Sequence, residues 1–175
     1  MKKVALVAVA CFAVLLAFAQ NPTADKNGYT VKLGQQAPDF TAKLTDGKQI
    51  TLSQWRGKWV MLQFTASWCG VCRKEMPHIE KEIWQKHKDN ENFVLIGIDR
   101  DEPLQKVIQF GLSTGITYPL ALDPGAQIFS KYALPDAGIT RNVLIDPKGK
   151  IVMMTRLFNE TEFNTLVETI NKVLE

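Results

Sequence analysis

Two short apolar runs, Lys58–Phe64 (KWVMLQF) and Phe93–Ile98 (FVLIGI), constrain this chain more than any other feature. Each is bounded by turn residues and nearly free of polar side chains, the pattern of a strand covered on both faces. The stretch between them places Met76, Ile79, Ile83 and Trp84 at helical spacing, which predicts a helix from Cys69 to about Lys88. Strand, helix and strand in that order predict a parallel βαβ unit. Pro77 should kink the helix, because proline lacks a backbone donor and clashes with the preceding turn.

The flanking segments extend the pattern. Phe40–Leu44 and Gln49–Leu52 alternate apolar and polar residues around Asp46-Gly47, a hairpin signature. Ser53 is the expected cap of a short turn through Gln54-Trp55-Arg56. Pro103–Ser113 reads as a helix with Pro103 in its first turn, Tyr118–Leu122 as a strand, and Ala126–Tyr132 as a short helix. Asn142–Ile145 and Lys150–Thr155 are strands joined by the turn Asp146-Pro147-Lys148-Gly149. Thr161–Leu174 is an amphipathic helix with Phe163, Leu166, Ile170 and Val173 on one face. The order ββ, βα, βα, βα, ββ, α predicts an α/β fold. A central mixed sheet should be flanked by helices on both faces, with an antiparallel edge.

The N-terminus carries a targeting signal. Met1-Lys2-Lys3 is a positive start, Val4–Phe18 is apolar, and Ala17-Phe18-Ala19 is a small-residue cleavage site with Gln20 as the first mature residue. The apolar run falls short of the roughly 20 residues of a membrane-spanning helix. An uncleaved anchor and lipidation at Cys11 are the alternatives. Residues 1–19 are therefore set apart as a signal peptide, and the mature chain is expected outside the cytoplasm with no stable membrane insertion. Residues 20–33 are polar, with Asn21-Pro22 and Asn27-Gly28, and read as a flexible lead-in. The folded domain is then 34–175. The formal net charge is +3, of which Lys2 and Lys3 supply two, leaving about +1 on the mature chain. Such a balance gives no basic field for nucleic acid or an anionic membrane.

Cleavage leaves two cysteines, Cys69 and Cys72. A structural disulfide normally closes a longer loop, because a tiny loop removes little entropy from the unfolded chain. An isolated Cys-x-x-Cys in an oxidising compartment points instead to redox exchange. The pair joins the end of a buried strand to the start of a helix. There, unpaired N–H groups and the helix dipole favour a thiolate over a thiol whose free pKa is about 8.5. Cys69, at the helix start, is the expected nucleophile. Cys72, one turn in, is the expected resolving thiol, and Gly70-Val71 keeps the two sulfurs within reach. Structural zinc needs four ligands, and the only histidines, His78 and His87, lie nine residues apart and do not complete a set.

At this point the sequence resembles the TlpA-like thiol–disulfide oxidoreductases of the thioredoxin superfamily, the group that includes ResA-type proteins. The resemblance rests on Ala37-Pro38-Asp39-Phe40, Asp46-Gly47-Lys48, Thr51-Leu52-Ser53, Arg56-Gly57-Lys58, Ala66-Ser67-Trp68-Cys69-Gly70-Val71-Cys72, Glu75-Met76-Pro77, and Leu144-Ile145-Asp146 with Gly149-Lys150. It covers roughly residues 34–175. It implies a thioredoxin-like fold with an N-terminal hairpin and a helix–strand insertion over Pro103–Leu122. It also implies a protein-disulfide reductant that needs no cofactor and draws electrons from another protein. Glu75 would exchange protons with the thiols, unless it is a solvated glutamate of the first turn. Trp68, Gly70 and Val71 would contact substrate.

One position departs from the family. Thr140, in Gly138-Ile139-Thr140-Arg141, stands where these proteins carry a cis-proline. A cis bond before a non-proline residue costs about 2.5–4 kcal/mol, so a trans Ile139–Thr140 bond is expected. Thr140 and Arg141 would then present a hydroxyl and a cation near Cys69. Two other functions compete. Peroxiredoxins share Ala-Pro-Asp-Phe and the late Ile-Asp-Pro-Lys-Gly turn, but carry a proline and a Thr or Ser where this chain has Leu62 and Ala66. A metal-delivery module would use Cys69, Cys72 and His78.

Overall fold

The computed structural model describes residues 24–175, so the signal-peptide reading of residues 1–19 and the start of the lead-in lie outside the described residues. Seven strands form one sheet: β1 (Thr41–Leu44), β2 (Gln49–Thr51), β3 (Trp59–Thr65), β4 (Phe93–Arg100), β5 (Leu120–Asp123), β6 (Arg141–Ile145) and β7 (Ile151–Arg156). Their order is β2-β1-β5-β4-β3-β6-β7. The apolar run β3 lies between parallel β4 and antiparallel β6, and β4 pairs in parallel with β5. Both edges are antiparallel, because a hairpin flanks the parallel centre on each side. The expected insertion is α3 (Leu104–Thr114) followed by β5, which slots between β4 and the N-terminal hairpin.

Helix α1 (Gly70–Ile79) contains Pro77 and passes into a π-helical turn, Glu80–Trp84, then a short α2 (Gln85–His87). The interruption expected at Pro77 is thus expressed as a change of helix type one turn later. Met76, Ile79 and Ile83 are fully buried against the sheet, as their spacing predicts. Helix α5 (Glu160–Leu174) buries Phe163, Leu166 and Ile170. On the opposite face, α4 (Phe129–Tyr132) packs its aromatics on β3. Phe64 meets Phe129 edge-on at 5.7 Å and Tyr132 at 5.3 Å. Thr51 precedes the short 3₁₀ turn Leu52–Trp55 and receives Gln54 Oε1 on its N–H, so the cap is Thr51 and not Ser53.

The β6–β7 hairpin depends on Gly149. Its φ is +84°, and a Cβ there would run into the Gln36 and Arg56 side chains. Asp146 completes the turn by accepting the Lys150 N–H at 2.8 Å.

The lead-in reading is corrected for residues 24–33. Tyr29 and Val31 are buried, Tyr29 bridges to Ala133, and its hydroxyl donates to Thr155 O at 2.6 Å. The polar letters around Asn27-Gly28 hid two apolar anchors that gain more from burial than the segment loses in entropy.

Candidate active site

β3 ends at Thr65, and four residues later Cys69 caps α1. Its backbone is extended and its Sγ accepts the Cys72 N–H at 3.2 Å, the place a serine or aspartate oxygen usually fills. Cys69 and Cys72 are joined as a disulfide, with Cα atoms 5.3 Å apart. Cys69 is 8% exposed and Cys72 is fully buried, so the first residue of the pair is the nearer to solvent. Trp68 is 62% exposed; Gly70 is exposed and Val71 half-buried, so the three expected substrate contacts form the surface around that residue.

Thr140 closes the site from β6. Its hydroxyl lies 3.1 Å from each of the two sulfurs. No peptide bond among the described residues is cis, so Ile139–Thr140 is trans as expected. Thr140 O accepts the Leu157 N–H at 3.0 Å, which ties the loop to the end of β7. Strand alternation sends Thr140 and Asn142 toward α1 and Arg141 the other way. The expectation that Arg141 offers a cation to substrate is therefore corrected. Arg141 is fully buried, donates to Gly138 O and Asn27 O, and stacks 4.3 Å from the Tyr29 ring.

Glu75, one turn beyond Cys72 on the same helix, is 1% exposed, which excludes the solvated alternative. Asn142 Nδ2 donates to its Oε1 at 2.7 Å and Gln63 Nε2 to its Oε2 at 3.4 Å. Tyr118 in turn donates to Gln63 Oε1 at 2.6 Å. Burial outweighs the two donors and raises the Glu75 pKa to about 7. The sequence reading missed these partners. Gln63 was the available signal, a lone amide in an otherwise apolar strand; Asn142 gave none.

A second acidic group lies under the Ser67 loop. Glu102 accepts the Ser67 N–H at 2.6 Å and its hydroxyl at 2.7 Å, and pairs with Lys106 at 2.6 Å. Burial opposes its charge, but Lys106 and Ser67 prevail and hold the carboxyl below its usual value. Asp99, at the end of β4, is fully buried and neither oxygen finds a donor among the described residues. Burial, then the nearby Glu102 charge, raise its pKa to about 7.

The competing ligand set does not assemble. His78 bonds Glu82 at 3.2 Å and lies against Phe158, and among the described residues no three His, Cys, Asp or Glu side chains are grouped to hold a metal. Leu62 and Ala66, where peroxiredoxins carry a proline and a hydroxyl residue, are buried and place no polar atom beside Cys69. No helix among the described residues is long and apolar enough to cross a membrane.

Residues 33–154 match the AhpC/TSA family. The thiol-disulfide oxidoreductase ResA of Bacillus cereus is 33% identical over 150 residues, covering 86% of this chain and 83% of that one. A solution structure from Bacteroides thetaiotaomicron, provisionally named a protein disulfide isomerase, is 73% identical with a TM-score of 0.82, covering 84% of this chain and 92% of that one. A Chlorobium tepidum crystal structure, provisionally named the thiol:disulfide interchange protein DsbE, is 27% identical with a TM-score of 0.72, covering 83% and 99%. A Cys-x-x-Cys disulfide capping a helix on a thioredoxin-like sheet agrees with all three, and the chain belongs to the AhpC/TSA family as a ResA-like thiol–disulfide oxidoreductase of the thioredoxin superfamily.

Proposed function

We propose that the mature chain is exported from a bacterial cell and reduces disulfides of client proteins outside the cytoplasm, recharged by an upstream electron-donor protein. The observation that carries this reading is graded burial. Cys69 keeps a small exposed area, Cys72 has none, and the Glu75 carboxyl lies one turn further along the same helix. In the reduced protein the Cys69 thiolate, favoured by the helix N-terminus and the Thr140 hydroxyl, attacks one sulfur of the client disulfide. A Cys69–client bond forms and a client thiolate leaves. Cys72 gives its proton to Glu75 and attacks Cys69, releasing the second client thiolate. Two electrons pass to the client and the Cys69–Cys72 disulfide remains. Trp68, Gly70 and Val71 would seat the client chain over Cys69. Export is supported by the charged, then apolar, then Ala-x-Ala pattern of residues 1–19. The direction is supported by the resemblance to the TlpA-like reductants.

The test is a trap. With a disulfide-containing client, Cys72→Ser should accumulate a Cys69–client mixed disulfide, and Cys69→Ser none. Trapping through Cys72 instead would overturn the assignment of roles. A reduction potential near about −270 mV, the thioredoxin value, would agree with a reductant, and one near about −120 mV, the DsbA value, would reverse the direction.

A further inference from the structure

A groove beside the nucleophile takes no part in the chemistry above. It runs between the first turns of α1 and helix α3, has a volume of about 310 Å³, and is lined by Ser67, Arg73, Lys106, Gln109, Phe110 and Ser113. Ser67, in its lining, lies two residues before Cys69. Phe110, 2% exposed, is its floor, and the Arg73 guanidinium lies over that ring at 5.0 Å. Arg73 Nε donates to Ser67 O at 2.8 Å and Nη1 to Ser113 Oγ at 3.3 Å. A guanidinium has five N–H donors, so these bonds leave three for another acceptor.

The charges do not cancel. Lys106 offsets the buried Glu102. Arg73 has no carboxylate partner among the described residues. Asp101, on the neighbouring loop, does not line the groove and accepts the Gly125 N–H at 2.7 Å. The groove is therefore net positive, and its fork of donors fits a carboxylate. Its position relative to the reacting sulfur is fixed by the helix. Arg73 follows Cys69 by one turn and donates its N–H to Cys69 O at 3.2 Å. Side chains four apart on a helix sit about 5–6 Å apart at Cβ. An extended client rises about 3.3 Å per residue, so the side chain two positions from its cysteine spans that gap and leaves the sheet on the same face.

Resting on the dithiol reading, we propose that this groove receives an acidic side chain of the client, two residues from the client's reacting cysteine. The enzyme then favours disulfides flanked by Asp or Glu over neutral or basic ones. Trp68, exposed and next in the chain to Ser67, would lend apolar contact to the client segment that bridges sulfur and carboxylate.

Three disulfide-linked peptide dimers, identical except for Glu, Ala or Lys two residues from the cysteine, test this with the reduced mature protein. Each dimer takes two electrons and yields two thiol peptides. The expected order of initial rates is Glu over Ala over Lys, in steps of about two- to fivefold at low ionic strength, the worth of an exposed ion pair. The steps should shrink in about 0.5 M salt, where screening shortens to a few ångströms. Arg73→Gln should bring the Glu and Ala rates together. Gln109→Glu, at a side chain that makes no hydrogen bond among the described residues, offsets Arg73 and should also bring the rates together, while the double variant with Arg73→Gln, now net negative, should invert the order. Equal rates for the three dimers, or a Glu preference undiminished in Arg73→Gln, would overturn the acidic-client proposal while leaving dithiol exchange in place. Failure of the Ala dimer to be reduced at all would remove both.

Discussion

Asn142 Nδ2 lies 2.7 Å from Glu75 Oε1, a bond that ties strand β6 to helix α1 in the buried layer behind Cys72. The same amide nitrogen holds Thr155 Oγ1 at 3.0 Å, so β7 joins the arrangement. A donor to a carboxylate favours its charged form, and here it opposes the larger effect of burial. Replacing Asn142 with Ala should push the Glu75 pKa above about 7. The pH profile for resolution of the Cys69–client intermediate should shift upward with it. Glu75→Gln should flatten that profile and slow resolution by about 10²-fold or more. Stopped-flow measurement from pH 5.5 to 9 checks both, and an Asn142→Ala profile superimposed on wild type would refute the coupling.

Glu75 and Asp99 both hold their protons to about pH 7 in the folded protein. Unfolded carboxyls release theirs near pH 4. Between those values the native state binds more protons than the unfolded state, so stability falls as pH rises from about 4 to 7. Asp123, raised mainly by burial, acts in the same direction. The carboxyls held low, Asp39, Asp46, Glu80 and Glu102, lose their contribution only in more acid solution. Urea unfolding of the oxidised protein should therefore show lower stability at pH 8 than at pH 5. Asp99→Asn should narrow the difference, since neither Asp99 oxygen has a donor to lose.

The Thr140 hydroxyl is the only side-chain group within hydrogen-bond distance of both sulfurs among the described residues. A hydrogen bond to a charged partner contributes about 1.5–3 kcal/mol, and one pKa unit corresponds to about 1.4 kcal/mol. Thr140→Val keeps the shape and removes the donor. It should raise the Cys69 pKa and slow alkylation near pH 7 severalfold, whereas Thr140→Ser should stay near wild type. Equal alkylation rates in wild type and Thr140→Val would show that the hydroxyl does not stabilise the thiolate.

Tyr29 makes residues 24–33 part of the fold, being 2% exposed and bonded to β7 through its hydroxyl. Tyr29→Ala should cost about 3–5 kcal/mol, the range for emptying a large buried aromatic site. Tyr29→Phe should cost about 1 kcal/mol, the worth of one hydrogen bond. Differential scanning calorimetry separates the two, and a neutral Tyr29→Ala would restore the view of this segment as a lead-in.

The sequence by itself determined the elements that local periodicity and turn chemistry control. Lys58–Phe64 and Phe93–Ile98 had no other stable place than a covered sheet, and the Cys-x-x-Cys between strand and helix could only cap α1. The strand–helix–strand order then fixed a parallel centre. Tertiary structure decided everything that depends on residues distant in the chain. Thr140 reaches sulfurs 71 and 68 positions away, and Asn142 reaches Glu75 across 67. Arg141 turns inward to Tyr29 because alternation on β6 leaves one residue facing the site and sends its neighbour through the sheet. Periodicity records which faces are apolar. It does not record which polar side chains meet once those faces are closed, and the chemistry of this site lies in those meetings.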